Sequence, residues 1–252
     1  RAEHLALAAA CGRDRLAVYR SLRVALFSTG DELREPGRDL HPGAIHDANR
    51  YMLMGLLADL GCQVDDLGIL PDNAAAVRAA LRDAAAAHDV VFTSGGVSTG
   101  EEDHVKAAVE AQGRLHFWRL AIKPGRPLAL GQMGDAIFIG LPGNPVAVMV
   151  CFLRFARPIL LRLAGASDTK PMLYRVRADF THEKRLDRRE YVRARLVAGD
   201  KGEQVAQKFE RQGSGLITSL VASDGLVEIG EDVTHLERGA MVDFLSFRES
   251  AA

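Results

Sequence analysis

Residues 89–103 read DVVFTSGGVSTGEED, and this stretch decides the fold class of the chain. The apolar run at residues 89–93 predicts a short buried strand, and the glycine-rich loop at residues 94–100 leads into a helix predicted to reach about Ala111. The same order of strand, polar turn and helix begins with RVALFSTG at residues 23–30. A chain that repeats this order is typical of a parallel sheet covered by helices.

The rest of the first two thirds of the chain continues this alternation. The further elements that the pattern predicts are strands at residues 62–67, 128–130 and 136–139 and helices at about residues 49–60, 73–88 and 144–163. Because helices of this length connect short apolar strands, we predict an α/β domain of three layers with a mostly parallel sheet.

The pattern changes after residues 165–167. Short β-like runs recur at residues 174–180, 191–197, 205–209, 226–229 and 241–247, and glycines separate them. These runs predict a small all-β barrel or sandwich domain. The predicted organisation is a connecting segment at residues 1–22, an α/β domain at residues 23–168 and a β domain at residues 169–252.

Composition and charge exclude several classes of protein. The 252 residues include 32 basic and 33 acidic side chains, whereas a general nucleic-acid or membrane-surface binder is normally clearly basic. The sequence has no apolar run of the length that a membrane helix requires and no recognisable signal peptide. Three cysteines without metal-binding spacing indicate reduced thiols. We therefore expect a cytoplasmic protein that binds neither nucleic acid nor membrane.

Acidic residues follow the first three predicted strands. Glu32 follows the first strand, Asp72 the second and Asp103 the third. Ligands of parallel α/β sheets bind beyond the carboxyl ends of the strands, so these acids are expected to converge on one cleft. The glycines of the loop at residues 94–100 suit a phosphate, and a carboxylate at its end would then hold a divalent cation. The alternative is a turn whose glycines only permit the backbone geometry.

Two segments rich in proline and glycine add candidate ligand contacts. Lys123 and Arg126 lie in KPGRP at residues 123–127, where two cations on a rigid loop suit an oxyanion. LPGNP at residues 141–145 opens the long helix and is predicted either to cap it or to contact a ligand. The charged run at residues 184–195 is interpreted mainly as a solvated strand face. The loop at residues 212–215 is either a hairpin turn or a source of hydrogen bonds to a ligand.

Five segments carry a family resemblance. They are residues 28–33 (STGDEL), 47–50 (DANR), 94–103 (SGGVSTGEED), 123–127 (KPGRP) and 140–146 (GLPGNPV). In this order and at these distances they resemble the molybdopterin molybdenumtransferase family, the group of bacterial MoeA and the gephyrin E domain. The resemblance covers about residues 15–250.

The resemblance implies a reaction and a set of site residues. Members of this family take adenylylated molybdopterin and molybdate, insert molybdenum into the dithiolene with a divalent cation, and release AMP. By resemblance, Asp103, Glu32 and Asp72 are catalytic, and Asp103 and Glu32 hold Mg²⁺. The residues that the resemblance implies for binding the adenylylated molybdopterin are Thr29, Gly30, Asn49, Ser94, Gly95, Gly96, Ser98, Gly100, Pro142, Gly143, Asn144 and Pro145.

The molybdate contacts implied by the resemblance come from both predicted domains. Lys123 and Arg126 belong to the α/β domain, and Arg193 and Ser214 belong to the β domain. Arg126 departs from the family pattern, because a second lysine is common at its position. The charge is kept, but the geometry of the contact is expected to change.

The resemblance also implies partners, and it leaves alternatives open. Family members carry two further N-terminal domains and form homodimers in which those domains help complete the partner's cleft, whereas this chain begins at Arg1. The leading hypothesis is Mg²⁺-dependent molybdate insertion, with a molybdopterin adenylyltransferase as an expected partner. One alternative is that the chain is itself such an adenylyltransferase, although that enzyme normally needs no β domain. The other is a non-catalytic module that binds molybdopterin or a partner protein.

Overall fold

Strands and helices alternate over the first two thirds of the chain, as predicted. The computed structural model describes residues 2–71, 73–96, 104–200 and 202–248. The helices are α1 (Ala2–Ala10), α2 (Asn49–Asp59), α3 (Ala74–Ala87), α4 (His104–Gln112), α5 (Pro145–Cys151), α6 (Arg157–Leu163) and α7 (Thr218–Val221). The strands are β1 (Arg23–Thr29), β2 (Leu33–Arg34), β3 (Ile45–His46), β4 (Gln63–Leu70), β5 (Val90–Ser94), β6 (Arg114–Arg119), β7 (Ile122–Lys123), β8 (Pro127–Met133), β9 (Ala136–Leu141), β10 (Tyr174–Ala178), β11 (His182–Glu183), β12 (Arg189–Ala198), β13 (Gln204–Lys208), β14 (Gly225–Ile229), β15 (His235–Leu236) and β16 (Met241–Ser246).

The first sheet has six strands in the order β4-β1-β5-β9-β8-β6. The four strands β4, β1, β5 and β9 pair in parallel, which confirms the mostly parallel sheet. β8 and β6 are antiparallel and form one edge. Only Gly134 and Asp135 separate β8 from β9, and two residues can form a hairpin but not the crossover that a parallel pair requires.

Helices cover both faces of this sheet, so the predicted three layers are confirmed. Because side chains of a strand alternate between faces, Val24 and Leu26 pack with α2, α5 and α6, whereas Ala25 and Phe27 pack with α3 and α4. All four side chains are fully buried. The alternation leaves the carboxyl ends of β1 and β5 free to carry polar groups at one edge of the sheet.

The second large sheet is a closed five-stranded barrel, which confirms the predicted all-β fold. Its strands follow the order β13-β10-β16-β14-β12, and pairing between β12 and β13 closes it. The short strand β7, which follows the edge of the first sheet in the chain, pairs in parallel with the start of β12. The backbone of the α/β part is therefore hydrogen-bonded directly to the barrel.

The predicted long helix at residues 144–163 packs against both sheets. It is formed by α5, a π-helical turn at Phe152–Ala156 and α6. Tyr191 and Leu226 of the barrel belong to the same apolar core as Val150 of α5. Beside this core, Arg154 Nε of the π-helical turn lies 2.9 Å from the carboxylate of Glu228 in β14. Apolar burial and an ion pair thus join the barrel to the helix.

The segment before β1 contains a helix that the sequence pattern did not predict. α1 has no buried residue, and Leu5 and Leu7 are exposed. Its periodicity is weak because none of its faces packs on a core. Across the described residues, no helix combines the length and the apolar character required to cross a bilayer.

Candidate functional site

Two glycines at the end of β5 bring its loop close to β1. Gly95 and Gly96 have φ values of +87° and +63°, which favour glycine. A Cβ on Gly95 would lie 2.8 Å from the carbonyl oxygen of Thr29, and one on Gly96 would lie 2.4 Å from Thr29 Oγ1. The predicted ligand residues Thr29, Gly95 and Gly96 therefore lie together at the carboxyl edge of the parallel sheet, together with the buried Ser94.

Asn49 joins this edge to the loop before α5. Its Nδ2 donates to Ser94 Oγ at 2.9 Å and to the carbonyl oxygen of Gly143 at 2.7 Å. Its Oδ1 is buried and has no hydrogen-bond partner among the described residues. Since a buried amide oxygen normally accepts a hydrogen bond, Oδ1 retains an acceptor that a ligand donor could use.

A buried cation fixes the start of α2, which carries Asn49. Arg50 donates to Asp47 at 3.0 Å and also to the carboxylates of Asp66 and Glu35. Burial alone would lower the pKa of Arg50, but the three carboxylates raise it above its ordinary value. The charge of Arg50 is satisfied by these carboxylates, so Arg50 supports the site rather than binding a ligand.

The start of α5 lies against the barrel loop that carries Ser214. Pro145 is in the first turn of the helix, where a missing N–H costs nothing. The next residue, Val146, donates its N–H to the carbonyl oxygen of Ser214 at 3.0 Å. Pro142, Gly143 and Asn144 precede the helix and line a cavity, and no heavy atom lies within 4 Å of a Cβ built on Gly143.

Gly125 holds the loop of residues 123–127 against α5. Its φ is +108°, and a Cβ there would lie 2.7 Å from Cys151 Sγ. Cys151 is fully buried, and burial raises the pKa of its thiol to about 12. A thiol in this state is a packing residue rather than a nucleophile. The close contact places Lys123 and Arg126 at the mouth of the cavity.

These loops enclose a cavity of about 660 Å³ where the barrel meets the first sheet. The residues that line it are numbers 95–96, 122–127, 142–144, 147, 188 and 212–214. The structure thus brings together Gly95, Gly96, the loop of Lys123 and Arg126, and Ser214. Ile122, Ala147 and the prolines contribute apolar lining, and Lys123, Arg126 and Arg188 contribute positive charge.

Arg188 is a cavity cation that the sequence analysis missed. It lies in the charged run at residues 184–195, which was interpreted as a solvated face, but its side chain is only 24% exposed. Its Nη2 donates to Glu190, and its Nε has no hydrogen-bond partner among the described residues. Its place directly before β12, two residues from Glu190, would have been the signal, because every second residue of an extended chain points to the same face.

Arg193 takes a different place from the one that was expected. Its side chain is 1% exposed and does not line the cavity. It donates to Ser219 Oγ at 3.0 Å and to the carbonyl oxygens of Arg211 and Gly213 at 3.1 and 3.0 Å. Burial lowers its pKa to about 10. Arg193 therefore supports the loop that carries Ser214, and its direct contact with molybdate, which the resemblance implied, stays a prediction.

Of the three acids that were predicted to converge, only Glu32 lies within the described residues. This side chain is exposed and does not line the cavity, and a Cβ on Gly30 would lie 2.7 Å from its Oε2. Asp72 and Asp103 lie outside the described residues, as do the predicted ligand residues Ser98 and Gly100. Within the described ranges, no three His, Cys, Asp or Glu side chains are grouped to hold a metal ion. The convergence of the acids stays a prediction.

Comparisons with known proteins agree with the division into two sheets. A family described as a probable molybdopterin binding domain matches residues 25–162, and the MoeA C-terminal region (domain IV) matches residues 175–247. Molybdopterin molybdenumtransferase from Haemophilus influenzae is 38% identical over 96% of this chain, and molybdopterin molybdenumtransferase 2 from Mycobacterium tuberculosis is 34% identical over 94%. In both comparisons the match spans 60% of the relative's length.

Solved structures give the same relationship. Two structures of molybdopterin biosynthesis MoeA proteins from Pyrococcus horikoshii superpose with TM-scores of 0.81 and 0.78, at 31% and 26% identity. They cover 97% and 98% of this chain, and the match covers 59% of each of those chains. The fold and the pairing of an α/β part with a barrel are thus shared with these proteins.

Proposed function

Because the chain belongs to the MoeA family of molybdopterin-binding proteins, we propose that it acts in molybdenum cofactor biosynthesis. Within that role, it forms the part of a molybdopterin molybdenumtransferase that binds molybdate and adenylylated molybdopterin. The reaction inserts molybdenum into the dithiolene, and water cleaves the phosphoanhydride bond, which releases AMP and leaves the terminal phosphate on molybdopterin.

The observation that carries this proposal is a set of three cations on one cavity. Lys123, Arg126 and Arg188 all line it, and they come from both the α/β part and the barrel part of the chain. Molybdate is a tetrahedral dianion, and a lysine point charge beside planar guanidinium groups suits the binding of such an oxyanion. Ser214 also lines the cavity and offers a hydroxyl group. Placing these groups before the substrate arrives would stabilise charge without reorganisation at the moment of reaction.

Other residues of the cavity and beside it support binding of the pterin substrate. Gly95 and Gly96 line the cavity without side chains. Asn49, which holds Ser94 and Gly143 beside the cavity, has an Oδ1 without a partner among the described residues and is proposed to accept from a donor on the pterin. The loop of residues 142–144 leaves open space at Gly143. We assign the phosphate of adenylylated molybdopterin to the carboxyl edge of β1 and β5. At the cations that hold molybdate, the two dithiolene sulfurs would then displace one molybdate oxygen, which leaves with the two thiol protons as water.

Carboxylate chemistry at this edge fits a divalent cation. Glu32 lies beside Gly30 at the carboxyl end of β1, and hard carboxylate oxygens are the ligands that Mg²⁺ prefers. Together with Asp103, which is proposed as its second ligand, and Asp72, it would hold the ion. Bound Mg²⁺ would offset the negative charge of the phosphates. The proposal therefore includes Asp103 and Asp72 as catalytic acids.

The proposal extends to assembly. We infer a homodimer in which further domains of one subunit complete the partner's cleft, with an adenylyltransferase supplying the activated pterin. Matches that span only 60% of the relatives' length are consistent with a need for additional protein around this cavity. Sedimentation of the full-length protein tests the dimer.

The decisive experiment measures molybdate-dependent release of AMP from adenylylated molybdopterin. The K123A/R126A variant is expected to lose at least about a hundredfold in molybdate affinity, since each of the two charged hydrogen bonds contributes about 1.5–3 kcal/mol. The exposed Lys170 does not line the cavity, so K170A is the matched control and should behave as the unchanged chain.

Each result that contradicts the proposed function points to a different function or a different site. Binding of both substrates without release of AMP would identify a binding module. Adenylylated product from ATP and free molybdopterin would identify an adenylyltransferase. Unchanged affinity in K123A/R126A would show that the cavity is not the molybdate site.

A further inference from the structure

A buried carboxylate stands directly behind the proposed molybdate cations. Glu190 is 2% exposed. Its Oε2 lies 3.4 Å from Lys123 Nζ and accepts a hydrogen bond from His182 Nε2 at 3.0 Å, while its Oε1 accepts from Arg188 Nη2. Two of these three donors, Lys123 and Arg188, line the cavity. The carboxylate itself does not, so it touches the cations from their protein side.

The backbone fixes this carboxylate across the junction between the two sheets. Glu190 pairs with Lys123 in the parallel β7–β12 ladder and with Ile229 in the antiparallel β12–β14 ladder. The barrel thus places its carboxylate beside a lysine of the α/β part through strand register. Paired residues of neighbouring strands project to the same face, so the contact does not depend on a flexible loop.

The ionised form of Glu190 is the one that this cluster stabilises. Burial would raise the pKa of Glu190, but hydrogen bonds from His182 and Arg188, with the charge of Lys123, hold it below its ordinary value. A buried carboxylate with three donors is a fixed anchor, because each donor loses a charged partner if it moves away. Lys123 is 50% exposed, so without such an anchor its ammonium group would sample many positions.

We infer that Glu190 is a positioning residue that holds Lys123 and Arg188 in place to receive molybdate. This inference rests on the proposed molybdate site. It also makes oxyanion binding depend on the docking of the barrel against the α/β part, because Glu190 lies in the barrel strand β12 and Lys123 lies in β7, the short strand of the α/β part that pairs with it. Glu190 is not expected to touch the substrate.

If Glu190 positions the cations, replacing it should change the molybdate affinity in the direction opposite to the one that its charge alone predicts. Removing a negative charge near a dianion site should tighten molybdate binding by Coulomb attraction alone. Loss of positioning should weaken it instead. We expect E190Q to raise the dissociation constant of molybdate about tenfold in titration calorimetry. We expect E190D, which keeps the charge but withdraws the carboxylate by one methylene, to weaken binding as well.

Double variants separate positioning from a general structural role. In a K123A or an R188A background, E190Q should produce a smaller fold-change, because one of the cations that it positions is already missing. Asp179 provides the control, since it is also an ion-paired, partly buried carboxylate of the barrel but does not line the cavity or contact its cations. D179N should leave the affinity for molybdate unchanged.

The outcomes distinguish this inference from the proposed function. Tighter or equal molybdate binding by folded E190Q, or an equal fold-change in all backgrounds, would overturn the positioning role alone. If E190Q does not fold, normal affinity in E190D overturns it. Failure of the unchanged chain to bind molybdate, or normal binding by K123A/R126A, would overturn the proposed site and this inference with it.

Discussion

Substitution of Gly96 by alanine tests why glycine is required at the end of β5. Gly96 has a φ of +63°, and its Cβ would lie 2.4 Å from Thr29 Oγ1 and 2.8 Å from Val105 Cγ2. Gly134, in the β8–β9 hairpin, has a φ of +58° but no heavy atom within 4 Å of its Cβ. The two positions share a backbone conformation and differ in their surroundings. Comparing G96A with G134A therefore isolates the effect of packing.

The expected difference follows from these contacts. Placing an L-residue in the left-handed region costs roughly 1–2 kcal/mol, and G134A should lose about this much stability. G96A should lose a further 1–3 kcal/mol, the approximate cost of overpacking a rigid site. Thr29 and Val105 are both buried and β-branched, so neither side chain can turn aside. For a chain of this size, the further loss lowers the unfolding temperature of G96A by roughly 3–9 °C below that of G134A.

Thermal unfolding followed by circular dichroism measures this difference. A T29A/G96A double variant removes the nearer contact atom, so its loss should be smaller than the sum of the two single losses. Equal unfolding temperatures for G96A and G134A would refute the argument. They would mean that the loop moves away from Thr29, and that Gly96 is needed for ligand access or for its backbone alone.

Two further perturbations concern ion pairs. Hydrogen bonds from Arg20, stronger than the opposing effect of burial, lower the pKa of Asp89 from 3.8 to about 2. The contribution of ionised Asp89 to the free energy of unfolding is therefore complete above about pH 4 and is lost as the pH falls through 2. Because Arg20 is 65% exposed, we expect this contribution to be only about 1 kcal/mol. Urea unfolding of the unchanged chain and of D89N at pH 7 and pH 2 measures it. R154M should cost about 2–4 kcal/mol at pH 7, because it leaves Glu228 buried with only Arg189 nearby. Burial already raises the pKa of Glu228, so its protonation should make this loss smaller near pH 5, and a loss that does not change with pH would contradict the reasoning.

Local sequence patterns were sufficient to predict the strands that are buried along nearly their whole length. β1 and β5 are buried along nearly their whole length, so their apolar runs identify them directly. The Ala-rich α3 begins where Asn73 accepts hydrogen bonds from the N–H groups of Ala75 and Ala76, a capping pattern that the sequence predicts. β6 was missed, and α1 was missed because it buries nothing.

The site was predictable only in part, because charge patterns do not specify burial. Lys123 and Arg126 were identified from their rigid loop, and the structure places both at the cavity. Arg193 and Arg188 lie five residues apart in the same basic run, yet one supports a loop from beneath and the other lines the cavity. Arg188 directly precedes β12 and Arg193 lies within it, so their different roles depend on which face of this strand lies toward the cavity. That is set by pairing with β7 and β14, between residues that are distant in the sequence.

The barrel forms part of the site, and three independent contacts argue for this. Val146 at the start of α5 donates to Ser214, β7 pairs with β12, and Arg154 reaches Glu228 from the π-helical turn. Each contact joins a short segment of the α/β part to a strand or loop of the barrel, and two of them involve the cavity residues Ser214 and Lys123. A barrel that took no part in the site would not need such contacts near the proposed oxyanion cations. The cavity therefore owes its charge and its shape to the docking of the two sheets, so any change that loosens this docking should weaken ligand binding before it unfolds either sheet.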